Sequence, residues 1–150
     1  MKGIPTVMMR VITTHLCTAR IRSCPVHWKP VPQELGDGGN REQGHTDYYT
    51  AISRIRSYLE KNLTYSTAAD PYTGQGDFAE DFLTNTRIGH SVHYATAAAL
   101  MFRYYGIPSR YVEGYLITPE DIKDKNPGDT IEVPGKNGHA WTEIYMDGLG

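Results

Sequence analysis

The sequence predicts an α+β protein in which N-terminal helices pack on an antiparallel sheet. Three observations point there. Apolar residues recur at helical spacing in successive segments between Tyr48 and Phe102. Alternating runs rich in Tyr, Val and Ile follow only after Pro108. Helices and strands are therefore segregated along the chain, which is the order of α+β architectures. A length of 150 residues bounds this to about one domain with a real core.

Residues 1–45 differ from the remainder. Val7 to Leu16 combines β-branched residues in partial alternation and reads as one short strand. Pro25, Pro30 and Pro32, then Gly36, Gly38 and Gly39, have the composition of a loop or linker. The segment is expected to be a leader or linker, with the folded core in 46–150.

The core begins at Thr46 and Asp47, residues suited to a helix start. Tyr48, Ile52, Ile55, Leu59 and Leu63 then form one apolar stripe, with Arg54, Arg56, Glu60 and Lys61 largely opposite. Leu63 to Ser66 turns extended, and Asp70-Pro71 and Gly74 to Gly76 mark a surface loop. Asp77 is expected to cap a short helix with Phe78, Phe82 and Leu83 inward. Gly89 supplies backbone freedom for a turn. Ser91 falls at the N-terminus of a second long helix, whose stripe is Val92, Ala95, Ala99 and Phe102. Gly106 and Pro108 stop it.

Beyond Pro108 the pattern is strand. Arg110 to Ile117 alternates; 119–129 is a charged, Pro- and Gly-marked excursion; Thr130 to Val133 reads as a second short strand. After the turn Gly135 to Gly138, His139 to Met146 forms a third. On it His139, Trp141, Glu143 and Tyr145 share one face, and Ala140, Thr142, Ile144 and Met146 the other.

Composition excludes several classes of function. Net charge is −2 and no dense basic run exists, so nucleic-acid binding has no support. No run of 18 apolar residues is present, so no membrane-spanning segment is expected. His15, Cys17, Cys24 and His27 have the ligand types of a zinc site without a familiar spacing. Free thiols or a local disulfide account for the same pair of cysteines. The acidic residues Asp121, Asp124 and Asp129 read as a solvated loop, with calcium binding as the other reading.

The chemistry concentrates at two places. Ser91 is a small polar residue where a helix presents unpaired N–H groups and a positive dipole end, a setting that favours developing negative charge. A cap alone would also explain it. His139 opens a strand directly after a glycine turn. A nucleophile and an imidazole that takes its proton are the minimal pair for covalent catalysis, with a third group orienting the imidazole.

The segment from about Tyr48 to Gly150 resembles the transglutaminase-like superfamily, whose core is papain-like. DFAEDFL, then YATAAALMFRYYGIPSRYVEGY, is similar to that family's nucleophile helix with its Gly-Ile-Pro stop and following strand. GHAWTEIYMDGLG is similar to its His strand. The resemblance implies acyl transfer or hydrolysis at glutamine or peptide amides of a protein or peptide substrate. It carries the nucleophile position onto Ser91 and the general base onto His139. Trp141, His90 and Tyr65 become cleft-lining candidates, Tyr65 as a donor to an oxyanion and Trp141 as a shield for the site. His90 and His93 form an HxxH that reads as structural or cleft-lining, with metal binding the lesser reading because no third ligand is evident nearby. No cofactor is implied. Family members of this kind are often membrane-attached and face outward.

Two departures accompany the resemblance. The family nucleophile is Cys, and a Ser hydroxyl does not pre-ionise beside an imidazole as a thiol does. The family also places its orienting Asp on the strand after the His strand, whereas this sequence stops at Leu149-Gly150 with Asp147 in the turn. The core is thus expected to be incomplete at its C-terminus and weak or inactive. A non-catalytic peptide-binding module is the alternative.

Overall fold

The computed structural model describes the backbone of residues 9–12, together with Leu35, 47–74 and 76–146. His15, Cys17, Cys24, His27, the Gly38-Gly39 pair and Asp147 lie outside the described residues.

Strand β1 spans Met9–Ile12, inside the stretch expected to be extended. Helix α1 spans Tyr48–Asn62. Its N-cap is Asp47, whose carboxylate accepts from the Thr50 N–H at 3.1 Å. The predicted stripe turns inward: Ile55 and Leu59 are buried beside Ala51 and Tyr58, and Leu63 joins the same core. Arg56 and Glu60 pair one turn apart on the exposed face.

Strand β2, Thr64–Tyr65, runs parallel to β3, Ile88–Gly89. Between them Asp77 caps helix α2, Phe78–Asp81, by accepting from Glu80 N–H at 2.8 Å. The chain then widens into a π-turn, Phe82–Thr86, that buries Phe82 and Leu83. Arg87 exits it in the left-handed region at φ 51°. The turn expected at Gly89 is therefore made at Arg87, and Gly89 sits in a strand. What Gly89 supplies is space. A Cβ there would lie 2.6 Å from His93 Cβ and 2.8 Å from Phe82 Cε2.

Helix α3 spans Ser91–Tyr104. Its N-cap is His90 and Ser91 is the first helical residue, so the helix begins one position earlier than a Ser91 cap would have it. At the other end Gly106 has φ 75°, the Ile107 N–H bonds to Phe102 O and the Gly106 N–H to Arg103 O, both at 2.9 Å. This is a Schellman ending, and the buried pair Phe102 and Ile107 completes it.

Strands β4, Ser109–Tyr115, and β5, Gly138–Tyr145, pair antiparallel, with Gly114 opposite His139 and Ser109 opposite Ile144. β1 adds to the other edge of β5 in parallel, so the sheet order is β1-β5-β4 and the sheet is mixed. The strand expected at Thr130 to Val133 does not form, and those residues carry no regular structure. Their excursion closes on itself instead. Leu116 N–H bonds to Asn137 O at 2.9 Å, and Asn137 Nδ2 donates to Leu116 O at 3.0 Å. α3 lies against β4 and β5 with α1 on its outer side, and the core fills between them.

Candidate active site

The start of α3 is held from three sides. β2 crosses beneath it, with the Ser66 N–H bonded to Gly89 O at 2.8 Å. His90 N–H donates to His93 Nδ1 at 3.3 Å, and the two imidazoles meet edge to face. Phe78 and Phe82 pack on His93 from below, with centroids at 4.7 and 5.2 Å. Burial and the neighbouring His90 lower the His93 pKa, which favours the neutral ring. Ser91 sits half-buried on this platform, in the first turn of α3, where backbone N–H groups have no helical carbonyl partner and that of His93 is taken by the His90 side chain.

The start of β5 is held by the loop before it. Asp121 Oδ2 accepts from Thr118 N–H at 2.8 Å, Thr118 Oγ1 at 2.7 Å and Asn137 Nδ2 at 3.2 Å. Those bonds lower the Asp121 pKa. The carboxylate thus ties the excursion to the 3-10 turn Gly135–Asn137 that delivers His139. His139 is half-buried, and desolvation lowers its pKa. Its imidazole is therefore held in the neutral, proton-accepting form to below the usual range.

Two buried hydrogen bonds set how these starts lie to each other. Thr142 Oγ1 donates to Ala95 O at 2.8 Å, and Ser109 Oγ, cross-strand from Ile144, donates to Ala99 O at 2.7 Å. Four helical residues advance about 6 Å and two strand residues about 7 Å, so α3 and β5 climb in step and in the same direction. One further step down brings Ser91 level with Ala140, the neighbour of His139. Both starts lie at one end of the helix–sheet layer. The strand's alternation turns Ala140, Thr142 and Ile144 to the helix and His139, Trp141 and Glu143 away from it. His139 thus starts its strand on the face opposite α3, and among the described residues no hydrogen bond joins it to Ser91.

The other expected site residues fall near this end. Tyr65 pairs with Gly89 and stacks on Tyr94 at 5.7 Å, while burial and Tyr65 push the Tyr94 phenol up to about 12. His90 caps α3. Trp141 is half-buried on the face of His139, and its indole N–H donates to Glu143 Oε1 at 3.2 Å. No group of three His, Cys, Asp or Glu that could hold a metal exists among the described residues. A cavity of about 630 Å³ opens beside His93, with Ser66, Asp70, Tyr72, Phe78 and Asp81 on its walls.

Sequence reasoning missed one cluster. Glu143 is 3% exposed and takes two bonds at 2.7 Å from the Arg110 guanidinium, its cross-strand partner. Only alternation flagged Glu143, and nothing in the sequence said that it would be buried and paired.

Comparison with known proteins agrees with this fold. The sequence model of the transglutaminase-like superfamily matches residues 39–150. The chain is 32% identical over 123 residues to a protein-glutamine gamma-glutamyltransferase of Pseudomonas aeruginosa, covering 81% of this chain and 17% of that one. It is 29% identical over 107 residues to the uncharacterized protein YebA of Bacillus subtilis, covering 69% of this chain and 14% of that one. The chain thus spans less than a fifth of those relatives. The crystal structure of the periplasmic domain of TgpA from Pseudomonas aeruginosa superposes with a TM-score of 0.59 at 28% identity, covering 89% of this chain and 44% of that one. Its ethylmercury-bound form superposes at 0.61 with 27% identity, covering 89% and 45%. With the family match spanning most of the core and the fold shared, the chain belongs to the transglutaminase-like superfamily.

Proposed function

We propose that the starts of α3 and β5 form an acyl-transfer site acting on the amide of a glutamine side chain or peptide in a protein substrate. Ser91 occupies the nucleophile position and His139 is the base. The observation that supports this most is the common register of α3 and β5, which brings both residues to one end of the layer. The gamma-glutamyltransferase named among the relatives supports the glutamine amide as substrate class.

In the reaction, His139 takes the Ser91 proton as Oγ bonds to the amide carbon. The carbonyl oxygen becomes an oxyanion facing the first-turn N–H groups of α3, with Tyr65 as a further donor. Protonated His139 returns the proton to the leaving nitrogen, the C–N bond breaks, and an acyl-serine remains. An amine or water then takes the acyl group by the same steps in reverse roles. Because a hydroxyl stays protonated until attack, turnover with Ser91 is slow, and Ser91→Cys restores a thiolate nucleophile.

The test is alkylation of Ser91→Cys by iodoacetamide near neutral pH, with Cys17 and Cys24 changed to Ser. The introduced thiol is expected to react about tenfold or more faster than an unactivated thiol, and His139→Ala is expected to remove the excess. A rate equal to that of an unactivated thiol overturns the reading. The hydroxyl at position 91 favours a second reading, a peptide-binding cleft without chemistry. Glutamine-peptide affinity unchanged by His139→Ala, in a chain whose introduced thiol shows no activation, would select it.

A further inference from the structure

We propose that Glu143 is a positioning residue that, clamped by Arg110, holds the Trp141 indole as a wall beside His139. The inference rests on His139 being the base of the site just described.

The geometry is a short relay along one face of the β4–β5 pair. Arg110 reaches across to its partner Glu143 with both Nε and a terminal nitrogen. The guanidinium side is about half exposed, while the carboxylate side chain is 4% exposed, so the buried charge is satisfied from its rim. The other carboxylate oxygen receives the Trp141 indole N–H at 3.2 Å. A tryptophan held at its N–H has the opposite, benzene edge of the ring directed away from that bond. That edge lies over Gly114: a Cβ there would meet Trp141 Cη2 at 2.7 Å and Cζ3 at 3.1 Å. Gly114 is the residue paired with His139. The ring is thus pinned by a bond at one end and fits at the other only because position 114 has no side chain. His139, two residues before Trp141 on the same face, stands directly beside that far edge. A base shielded from water on one side keeps its proton acceptor free for the substrate end.

A plain ion pair would need neither the shared carboxylate nor the bare glycine. Glu143 uses one oxygen for each neighbour, so loss of charge and loss of the indole bond separate by substitution. Glu143→Gln keeps an acceptor for the indole, whereas Glu143→Leu keeps the volume and removes it. Gly114→Ala pushes the ring from its other edge and leaves Arg110 and Glu143 untouched.

The experiment uses the full chain with Trp28→Phe, so that Trp141 is its one tryptophan and is excited selectively at the red edge of the absorption. Acrylamide quenching of Trp141 and the NMR titration of His139 are measured in each variant. Glu143→Leu and Gly114→Ala are expected to raise quenching severalfold and move the His139 midpoint up toward 6.5. Glu143→Gln is expected to remain near the parent in both. Unchanged quenching and titration in folded Glu143→Leu or in Gly114→Ala overturn the proposal, as does Glu143→Gln behaving like Glu143→Leu. These readouts need no turnover. Failure of the acyl-transfer reading would leave them intact and appear only as an unactivated thiol in Ser91→Cys.

Discussion

Gly89 shows how one residue can be read correctly for the wrong reason. Its position before a helix suggested a left-handed turn, yet the positive φ belongs to Arg87. Gly89 is required because His93 and Phe82 press on its Cα, contacts made by residues four and seven positions away. Gly89→Ala should therefore cost about 1–3 kcal/mol through overpacking, not through backbone strain. Urea unfolding checks this, and a change of under a few tenths of a kcal/mol would contradict the packing account. The same substitution displaces His93 and with it the bond to His90 N–H that sets the first turn under Ser91.

At the scale of elements, the proposed site depends on how α3 is docked on β5. The sequence showed both elements and their apolar faces, because each pattern is local. It could not show their relative level, which two buried hydroxyls decide. Thr142 is fully buried with its hydroxyl on Ala95 O. Thr142→Val keeps the shape and removes the bond, so a loss of about 1 kcal/mol is expected. If this register sets the site, the thiol of Ser91→Cys should also alkylate more slowly once Thr142→Val is added. Equal rates at reduced stability would detach the bond from the site. The π-turn at Phe82–Thr86 escaped sequence reading, since its Phe, Leu and Thr residues suit an ordinary helix end equally well.

At the scale of the whole molecule, two imidazoles among the described residues are held below their ordinary pKa. His93 and His139 both lie under 6.5 in the fold because burial disfavours the charged ring. Below that value the unfolded chain binds more protons than the folded one, so stability falls as pH drops through the window from 6.5 down to the folded values. A melting temperature that declines from about pH 7 to about pH 5, with a smaller decline in His93→Gln, is the expected result. A flat profile over that range would show that neither ring is desolvated.

Local chemistry was legible in the residues alone. The Asp47 and Asp77 caps, the Gly106 stop, the apolar stripe of α1 and the alternation of β4 and β5 all follow from interactions within a few positions. Ser91 and His139 stand out from the same local settings, as residue types suited to the nucleophile and base proposed for them. The tertiary structure decided what lies across space: the parallel addition of β1, the burial of Glu143 against Arg110, the role of Asp121 in closing its loop, and the absence of a strand at Thr130 to Val133. It also decided that α3 and β5 start at the same end. Those facts depend on contacts between residues tens of positions apart, and no periodicity in the chain encodes which hydroxyl will meet which carbonyl.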